Sequence, residues 1–501
     1  MTLSRRAVLG GALTGALSLP ATRARAAGGV LRIGVSSSLS RLDPLLTTIG
    51  DEYIYCNLAF NGLTRMAEDQ TVHPDLAESW EFSPDLKSWT FRLRRGVKFH
   101  DGTDMAAADV VALFRRLLDP ATAAPSRSNY DMVASVDAPD DHTVVFTLRS
   151  PYGGFADILS DRQVKVVPRG KVAQLPTQPV GTGPFRFVSY TPGDRLVLER
   201  FPDYFEPGLP KLAGVELRII PEMSSKLAAL QSGELDVVWD LPLDQVGMLQ
   251  SRGGLQVESV ASGSWDAAVM NNLTAPFNDP RVRRAFGMAV SKADVVELTL
   301  FGQGAPTLSP IPPTHPFYDA DIAPGAADPA GARRLLAEAG LPGGVRVPII
   351  VPAGRPVRER LGVTLQQLAK PGGFDLQVQR VPFSSFDAEV SGKAPLYIDG
   401  YFARPTIDTS TYPFLHSSGS WNAKLWHYSN PAVDTALTAA RLSGDPAVQR
   451  TQYRDMQRAL VADPCGFFAY SVNFACAYAK GVGGIKTHPM RWFDLREATL
   501  A

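Results

Sequence analysis

Trp89-Thr90-Phe91-Arg92-Leu93-Arg94-Arg95-Gly96-Val97-Lys98-Phe99-His100-Asp101-Gly102 carries the first decision about the fold. Trp89, Phe91 and Leu93 alternate with Thr90, Arg92 and Arg94, a period of two that predicts a strand with one buried face. Val144, Phe146 and Leu148 repeat the pattern. Between the two runs, Val110, Leu113, Phe114, Leu117 and Leu118 fall on one side at helical spacing. A helix is expected there, with Thr103 or Asp104 as its N-cap and Pro120 ending it. Strand, helix and strand in one short run mark a mixed α/β chain.

The same mixture continues outward. Val30 to Ser36 reads as a strand, and Leu42-Asp43-Pro44 as a turn. Phe185 to Tyr190 and Arg195 to Arg200 predict a hairpin turned by Pro192-Gly193-Asp194. Ser224 to Gln231 is helical, and a strand over Leu235 to Trp239 follows Gly233. Asp279-Pro280 opens a helix through Ala289, and Asp328-Pro329 opens another that Gly340 closes. Strands near Arg346 to Val351 and Asp375 to Val381 bracket a helix over Val357 to Ala369, a βαβ unit. A helix from Pro446 to Val461 precedes short strands near Phe467 to Tyr470 and Phe474 to Ala479. No fixed-period repeat is present.

At ~150 residues per domain, 501 residues predict two to four domains. Hydrophobic residues make up 45% and charged residues 20%, which excludes disorder and coiled coil as the main theme. Lys+Arg and Asp+Glu are both 50, so no basic excess points to nucleic acid. Residues 1–26 read as a signal peptide. Ser4-Arg5-Arg6 precedes an apolar run from Ala7 to Leu19, too short for the ~20 residues of a membrane-crossing helix, and Ala24-Arg25-Ala26 offers the small residues of a cleavage site. Ser-Arg-Arg-x-x-Leu at Ser4 to Leu9 resembles a twin-arginine signal. Loss of that segment removes four arginines and leaves a mildly acidic mature chain, soluble in the periplasm. No cysteine stands at the cleavage site to carry a lipid. Cys56, Cys465 and Cys476 are too few for a disulfide scaffold, although Cys465 and Cys476 could face each other across a hairpin. Buried free thiols are the alternative.

The motifs of catalysis are missing. The sequence has no His-Glu-x-x-His, no Gly-x-Ser-x-Gly and no phosphate loop ending in Gly-Lys-Ser/Thr. Gly181-Thr182-Gly183 runs into Pro184-Phe185, which cannot open a helix as a dinucleotide fingerprint must. The seven histidines are scattered. The chain therefore reads as a binder that needs no cofactor, not as an enzyme.

Several blocks together resemble the extracytoplasmic solute-binding proteins of the peptide/nickel type (solute-binding family 5) that feed ABC importers. They are Asn61-Gly62-Leu63-Thr64, Pro74 to Trp80, Thr90 to Gly102, Pro179 to Phe185, Ala229 to Asp236, and Asn271-Asn272 through Pro276 to Arg283. Their order and spacing fit over almost the whole mature chain. The resemblance implies an α/β, periplasmic binding protein-like fold of class II with three lobes. Lobe I would comprise 27–60, 180–270 and 483–501, lobe II the insertion 61–179, and lobe III 271–482. Two crossovers between lobes I and III would form a hinge. The implied partners are a small-molecule or peptide ligand and the transmembrane subunits of an ABC permease, with the chain acting as a monomer.

Family members that bind dipeptides grip the ligand carboxylate with an Arg-Pro at a helix start, and Arg355-Pro356 stands at the matching place. A guanidinium suits a carboxylate because its planar fork donates two parallel bonds. Those members also pair the ligand ammonium with an aspartate shortly after a Gly-Trp. Here the stretch is Gly400-Tyr401-Phe402-Ala403-Arg404-Pro405-Thr406-Ile407-Asp408, and Arg404 stands where that aspartate would be. An arginine there repels a free ammonium, and Arg355 and Arg404, expected to face one buried site, together favour a ligand with more than one anionic group or with no free amine. Asp408 could compensate by pairing with Arg404. Tyr401, Phe383, Trp421 and Trp265 are the aromatics expected at the cleft, with Asn422 beside Trp421. A nickel-chelate carrier is the alternative cargo reading, with His416 completing the chelate. An exported hydrolase and a sensor read by a membrane receptor are the remaining alternatives.

Overall fold

A computed structural model describes residues 28–501 apart from Asp69, Ala323 and Lys486. The signal-peptide reading lies outside these residues. Two long strands, Leu255–Met270 and Phe467–Ala479, run antiparallel through the middle of the molecule and organise the rest. They sit at the centre of an eleven-stranded sheet. On one side the sheet continues through Val237–Val238, Val30–Val35, Gly214–Ile219, Arg195–Arg200 and Phe185–Thr191. On the other it continues through Leu396–Tyr401, Val345–Ala353 and Phe374–Pro382.

The two wings differ as their sequences do. Strand Leu396–Tyr401 is buried on both faces, because Leu396 and Ile398 enter one core while Tyr397 enters another. Leu255–Met270 joins them in the same way, with Ala268 and Met270 on one side and Ala267 and Val269 on the other. The expected βαβ unit is present: Val345–Ala353, helix Pro356–Ala369 and Phe374–Pro382, with the strands parallel. The expected hairpin at Pro192-Gly193-Asp194 forms, with a shift of register between Phe187 and Ser189.

A separate four-stranded sheet joins Ala77–Phe82, Ser88–Leu93, Thr143–Leu148 and Val133–Asp140. Trp89, Phe91 and Leu93 are all buried in its core, packed with Val110, Leu113, Phe114 and Leu117 of helix Ala107–Leu118. That helix starts later than expected. Thr103 bonds to Asp101, and Asp104 pairs with Lys98, so neither is the cap. The N-cap is Ala106, whose N–H is satisfied by Asp109 reaching back (3.0 Å).

Two further expectations change. Phe467 to Ala479 is one strand, not a pair with a turn, because it pairs from end to end with the longer strand Leu255–Met270. Cys465 and Cys476 therefore lie along one line of chain, and both remain buried free thiols, as does Cys56. Burial pushes the Cys56 and Cys476 thiols up to about 12. Gly181 and Gly183 are not turn glycines. Each packs on the end of helix Gly50–Ala59, where a Cβ on Gly183 would lie 2.6 Å from the Leu58 carbonyl oxygen and the Phe60 nitrogen. Among the described residues no helix is long and apolar enough to cross a membrane.

Candidate ligand-binding site

The recognisable blocks hold the fold together. Asn61 donates to both Asp75 carboxylate oxygens (2.9 and 3.1 Å) and accepts from Thr182 (3.2 Å). His100 bridges to Gly181 and Gly183. Asp236 takes a bidentate grip from Arg32 (2.9 and 2.8 Å). Asn272 donates to three carbonyls, those of Met270, Trp426 and Cys465, each at 2.9 Å. These groups are engaged within the protein, so the site must be built from other residues.

Strand Leu396–Tyr401 leads into a loop in which the buried Arg404 Nε has no hydrogen-bond partner. It ends at Tyr401, and a short loop leads to helix Ile407–Leu415, capped by Thr406. Trp265 pairs with Tyr401 across the strands, and their rings are 5.3 Å apart. Tyr401 also packs against Phe414 (4.7 Å) and Trp421 (5.2 Å). Trp265, only 3% exposed, is the back of this wall; Tyr401 and Trp421 are partly exposed and form its front. The expected Trp265, Tyr401 and Trp421 thus come together.

Arg404 follows Tyr401 in that loop. Its Nε is buried without a hydrogen-bond partner. Burial, and then the neighbouring charge of Arg162, lowers the guanidinium from its ordinary value; Asp161, Tyr401 and Tyr53 are the other charged or titratable groups that face it. Arg162 itself lies over the Tyr53 ring at 4.1 Å. Asp408 does not compensate Arg404. It is buried, held bidentately by Arg441 (3.0 and 2.8 Å), and accepts from the Tyr152 hydroxyl (3.0 Å). The reason is local: Asp408 sits in the first turn of its helix and points toward helix Pro431–Arg441.

The other expected residues lie apart from Arg404. Arg355 is exposed at the N-cap of helix Pro356–Ala369, and its guanidinium stacks over the exposed Phe383 ring at 3.8 Å. Asn422 is 1% exposed and bonded to the backbone of His416 and Tyr428, which makes it a loop brace. His416 stacks on Tyr412 at 4.2 Å and bonds to Ser418 and Thr438. Among the described residues no three His, Cys, Asp or Glu side chains converge as metal ligands.

Sequence reasoning missed Arg358, one turn beyond Arg355. It is bonded to Asp266 (2.9 Å) and Asp399 (2.8 Å), and Tyr470 completes Asp266. The spacing Arg355-x-x-Arg358 offered a choice of two, and only the partners decide which is closed. Arg162 and Tyr53 were also missed. Neither lies in a periodic segment that marks it, and the residues they face are distant in sequence.

Comparison with known proteins agrees with this architecture. The family model described as bacterial extracellular solute-binding proteins, family 5 Middle, matches residues 71–422. A glutathione-binding protein of Pectobacterium atrosepticum is 30% identical, with 100% of this chain and 99% of that protein covered. The periplasmic binding protein DppA of Helicobacter pylori, associated with an ABC transporter and solved with the peptide STSA, superposes with a TM-score of 0.77 at 25% identity, over 94% of this chain and 98% of that one. HbpA2 from Haemophilus parasuis has the same fold, with a TM-score of 0.86 at 21% identity, over 94% and 100%.

Proposed function

The chain belongs to the bacterial extracellular solute-binding proteins, family 5, and from that premise we propose that its cargo is a small peptide-like solute bearing an anionic group. Its role is that of the solute-binding component of an ABC importer. The observation that carries the cargo reading is Arg404. A buried guanidinium nitrogen without a partner costs several kcal/mol in effective desolvation unless something pairs with the group. A ligand carboxylate beside the Tyr401 and Trp421 rings supplies that pairing, and the rings supply flat contact area. Glutathione, the ligand named for a relative, has two carboxylates and suits such a site.

The parts of the molecule take the following roles in this reading. Residues 27–60, 180–270 and 483–501 form lobe I, 61–179 the inserted lobe II, and 271–482 lobe III. Strands Leu255–Met270 and Phe467–Ala479 are the crossovers, and the break in their register between Ala261 and Trp265 is the hinge. The protein works as a monomer with the transmembrane subunits of its permease. Arg5-Arg6 directs export by the twin-arginine route to the periplasm, and replacing both with lysine should leave the precursor in the cytoplasm. Normal export of that variant would refute the route.

Native mass spectrometry of protein purified from its own cell envelope tests the cargo. An acidic, peptide-like adduct is expected. A cationic adduct would contradict the reading.

A further inference from the structure

The loop that carries Arg404 is tied down at both ends. At its front the Ala403 N–H donates to the Ser264 hydroxyl (3.1 Å). Ser264 lies in the break of register between Ala261 and Trp265, and its own N–H donates to the Ser262 hydroxyl (3.1 Å). Ser262 donates to the Val472 carbonyl (2.7 Å), and Ser471 donates to the Ser262 carbonyl (2.6 Å). These serines fasten the front of the loop to the two long strands. At its back Thr406 caps helix Ile407–Leu415 and accepts from the Thr409 N–H (3.0 Å). Asp408, in the first turn of that helix, is held from outside it. Only Arg404 and Pro405 stand between the front tie and the cap.

Part of the hold on Asp408 comes from a different body of the fold. Tyr152 lies in the core built on the four-stranded sheet, 2% exposed and 256 residues away in sequence. Its hydroxyl donates to Asp408 Oδ2 (3.0 Å), the oxygen that also takes Arg441 (2.8 Å). Beside it the Gly153 N–H donates to the Arg441 carbonyl (2.8 Å). The two bodies meet backbone to backbone here. A Cβ on Gly153 would strike the Ser443 carbonyl, and one on Gly444 would lie 3.1 Å from the Phe82 ring. Arg441 already balances the charge of Asp408 with its bidentate grip. A phenylalanine would fill the same core as Tyr152. What the hydroxyl adds is a directional bond to a buried charge, and so a tie between the bodies.

We propose that Tyr152 is a positioning residue for the cargo: through Asp408 it fixes the back of the Arg404 loop, so that the inserted body helps to set the affinity for ligand without itself being a ligand contact. This rests on the cargo reading at Arg404 and deepens it. A guanidinium held in one place loses less freedom on meeting a carboxylate. With the back tie gone, the loop is held by its serine tie and cap alone, and the ligand must order it.

The test uses Tyr152→Phe and Gly153→Ala. The first keeps the ring in the core and removes the hydroxyl. The second keeps the hydroxyl and drives a methyl into the Ser443 carbonyl. The first arm needs no ligand: amide hydrogen exchange of the stripped protein is followed by mass spectrometry. Peptides covering 402–415 should exchange about tenfold faster in both variants, as loss of a hydrogen bond to a charged group implies. Peptides covering the βαβ unit should keep the wild-type rate. An unchanged rate at 402–415, or one rise shared by both regions, would overturn the positioning role. The second arm titrates glutathione calorimetrically into wild type, Tyr152→Phe, Arg404→Gln and the double variant. Tyr152→Phe should weaken binding about threefold to tenfold, and should add nothing in the Arg404→Gln background, because its effect runs through Arg404. A full Tyr152→Phe effect in that background would overturn the proposal and leave the cargo reading standing. A wild type that ignores glutathione would count against that ligand, and the exchange arm then decides the role of Tyr152 by itself.

Discussion

His100 joins two sequence blocks that lie 83 residues apart. Its Nδ1 accepts the Gly181 N–H (3.3 Å), so the neutral ring carries its proton on Nε2, which meets the Gly183 carbonyl at 3.0 Å. Burial pushes the imidazole down to about 4. In the unfolded chain the ring titrates near its ordinary ~6.5. As pH falls from there toward 4, the unfolded state takes up a proton that the folded state excludes, so stability falls, and the whole penalty is present below 4. At ~1.36 kcal/mol per pKa unit it reaches at most about 3 kcal/mol. His100→Gln keeps a donor and an acceptor but cannot titrate. Urea unfolding should find wild type the more stable at pH 7 by about 1–2 kcal/mol, with the gap narrowing toward pH 4.5. A gap that stays constant would mean that His100 is exposed to solvent protons in the folded state. The same scale explains why Arg355 and Arg358 could not be separated by sequence. Both stand at the start of one helix, and only Asp266 and Asp399 across the sheet mark Arg358 as the structural one.

At the scale of elements, periodic segments were legible and aperiodic ones were not. Trp89, Phe91 and Leu93 announce their strand because one face is buried and the other is wet. Leu255–Met270 announces nothing: its second half is buried on both faces, and Ser262, Gly263 and Ser264 interrupt any pattern. The longest strand of the molecule was therefore missed, and with it the unity of Phe467–Ala479. Helix starts at Asp279-Pro280 and Asp328-Pro329 were legible because the aspartate accepts from the helix backbone and proline costs no donor there. The start at Ala106 was hidden, since its satisfying group is Asp109, inside the helix. Gly181 and Gly183 were recognisable, but for the wrong reason. Their need is for close approach to helix Gly50–Ala59, as the Gly183 N–H bond to Ala59 (3.0 Å) requires. Gly183→Ala forces a methyl into backbone and should destabilise the protein by about 3 kcal/mol. A loss below about 1 kcal/mol in urea unfolding would show that the helix end can shift aside.

For the whole molecule, the family blocks gave the architecture and left the cargo open, because the residues that define the blocks are engaged in internal bonds. The surroundings of Arg404, the residue proposed to meet the cargo, come from segments distant in sequence, with Arg162 and Tyr53 from the first half and Tyr401 from the second. Convergence of that kind has no local signal. In the proposed arrangement, lobes joined through two crossover strands should also move. Small-angle scattering should give a smaller radius of gyration with saturating glutathione than without it, and an unchanged profile with proven binding would argue against hinge closure.

The most direct measurement is a calorimetric titration of wild type and Arg404→Asp with a free dipeptide, its N-acetylated form and glutathione. In the proposed site the uncompensated Arg404 guanidinium repels a lone ammonium and attracts a carboxylate, and the two carboxylates of glutathione outweigh its one ammonium. Wild type should therefore prefer glutathione and the N-acetylated dipeptide, and Arg404→Asp should reverse that order in favour of the free dipeptide. If wild type binds the free dipeptide best and Arg404→Asp leaves the ranking unchanged, Arg404 does not meet the ligand and the anionic cargo is refuted.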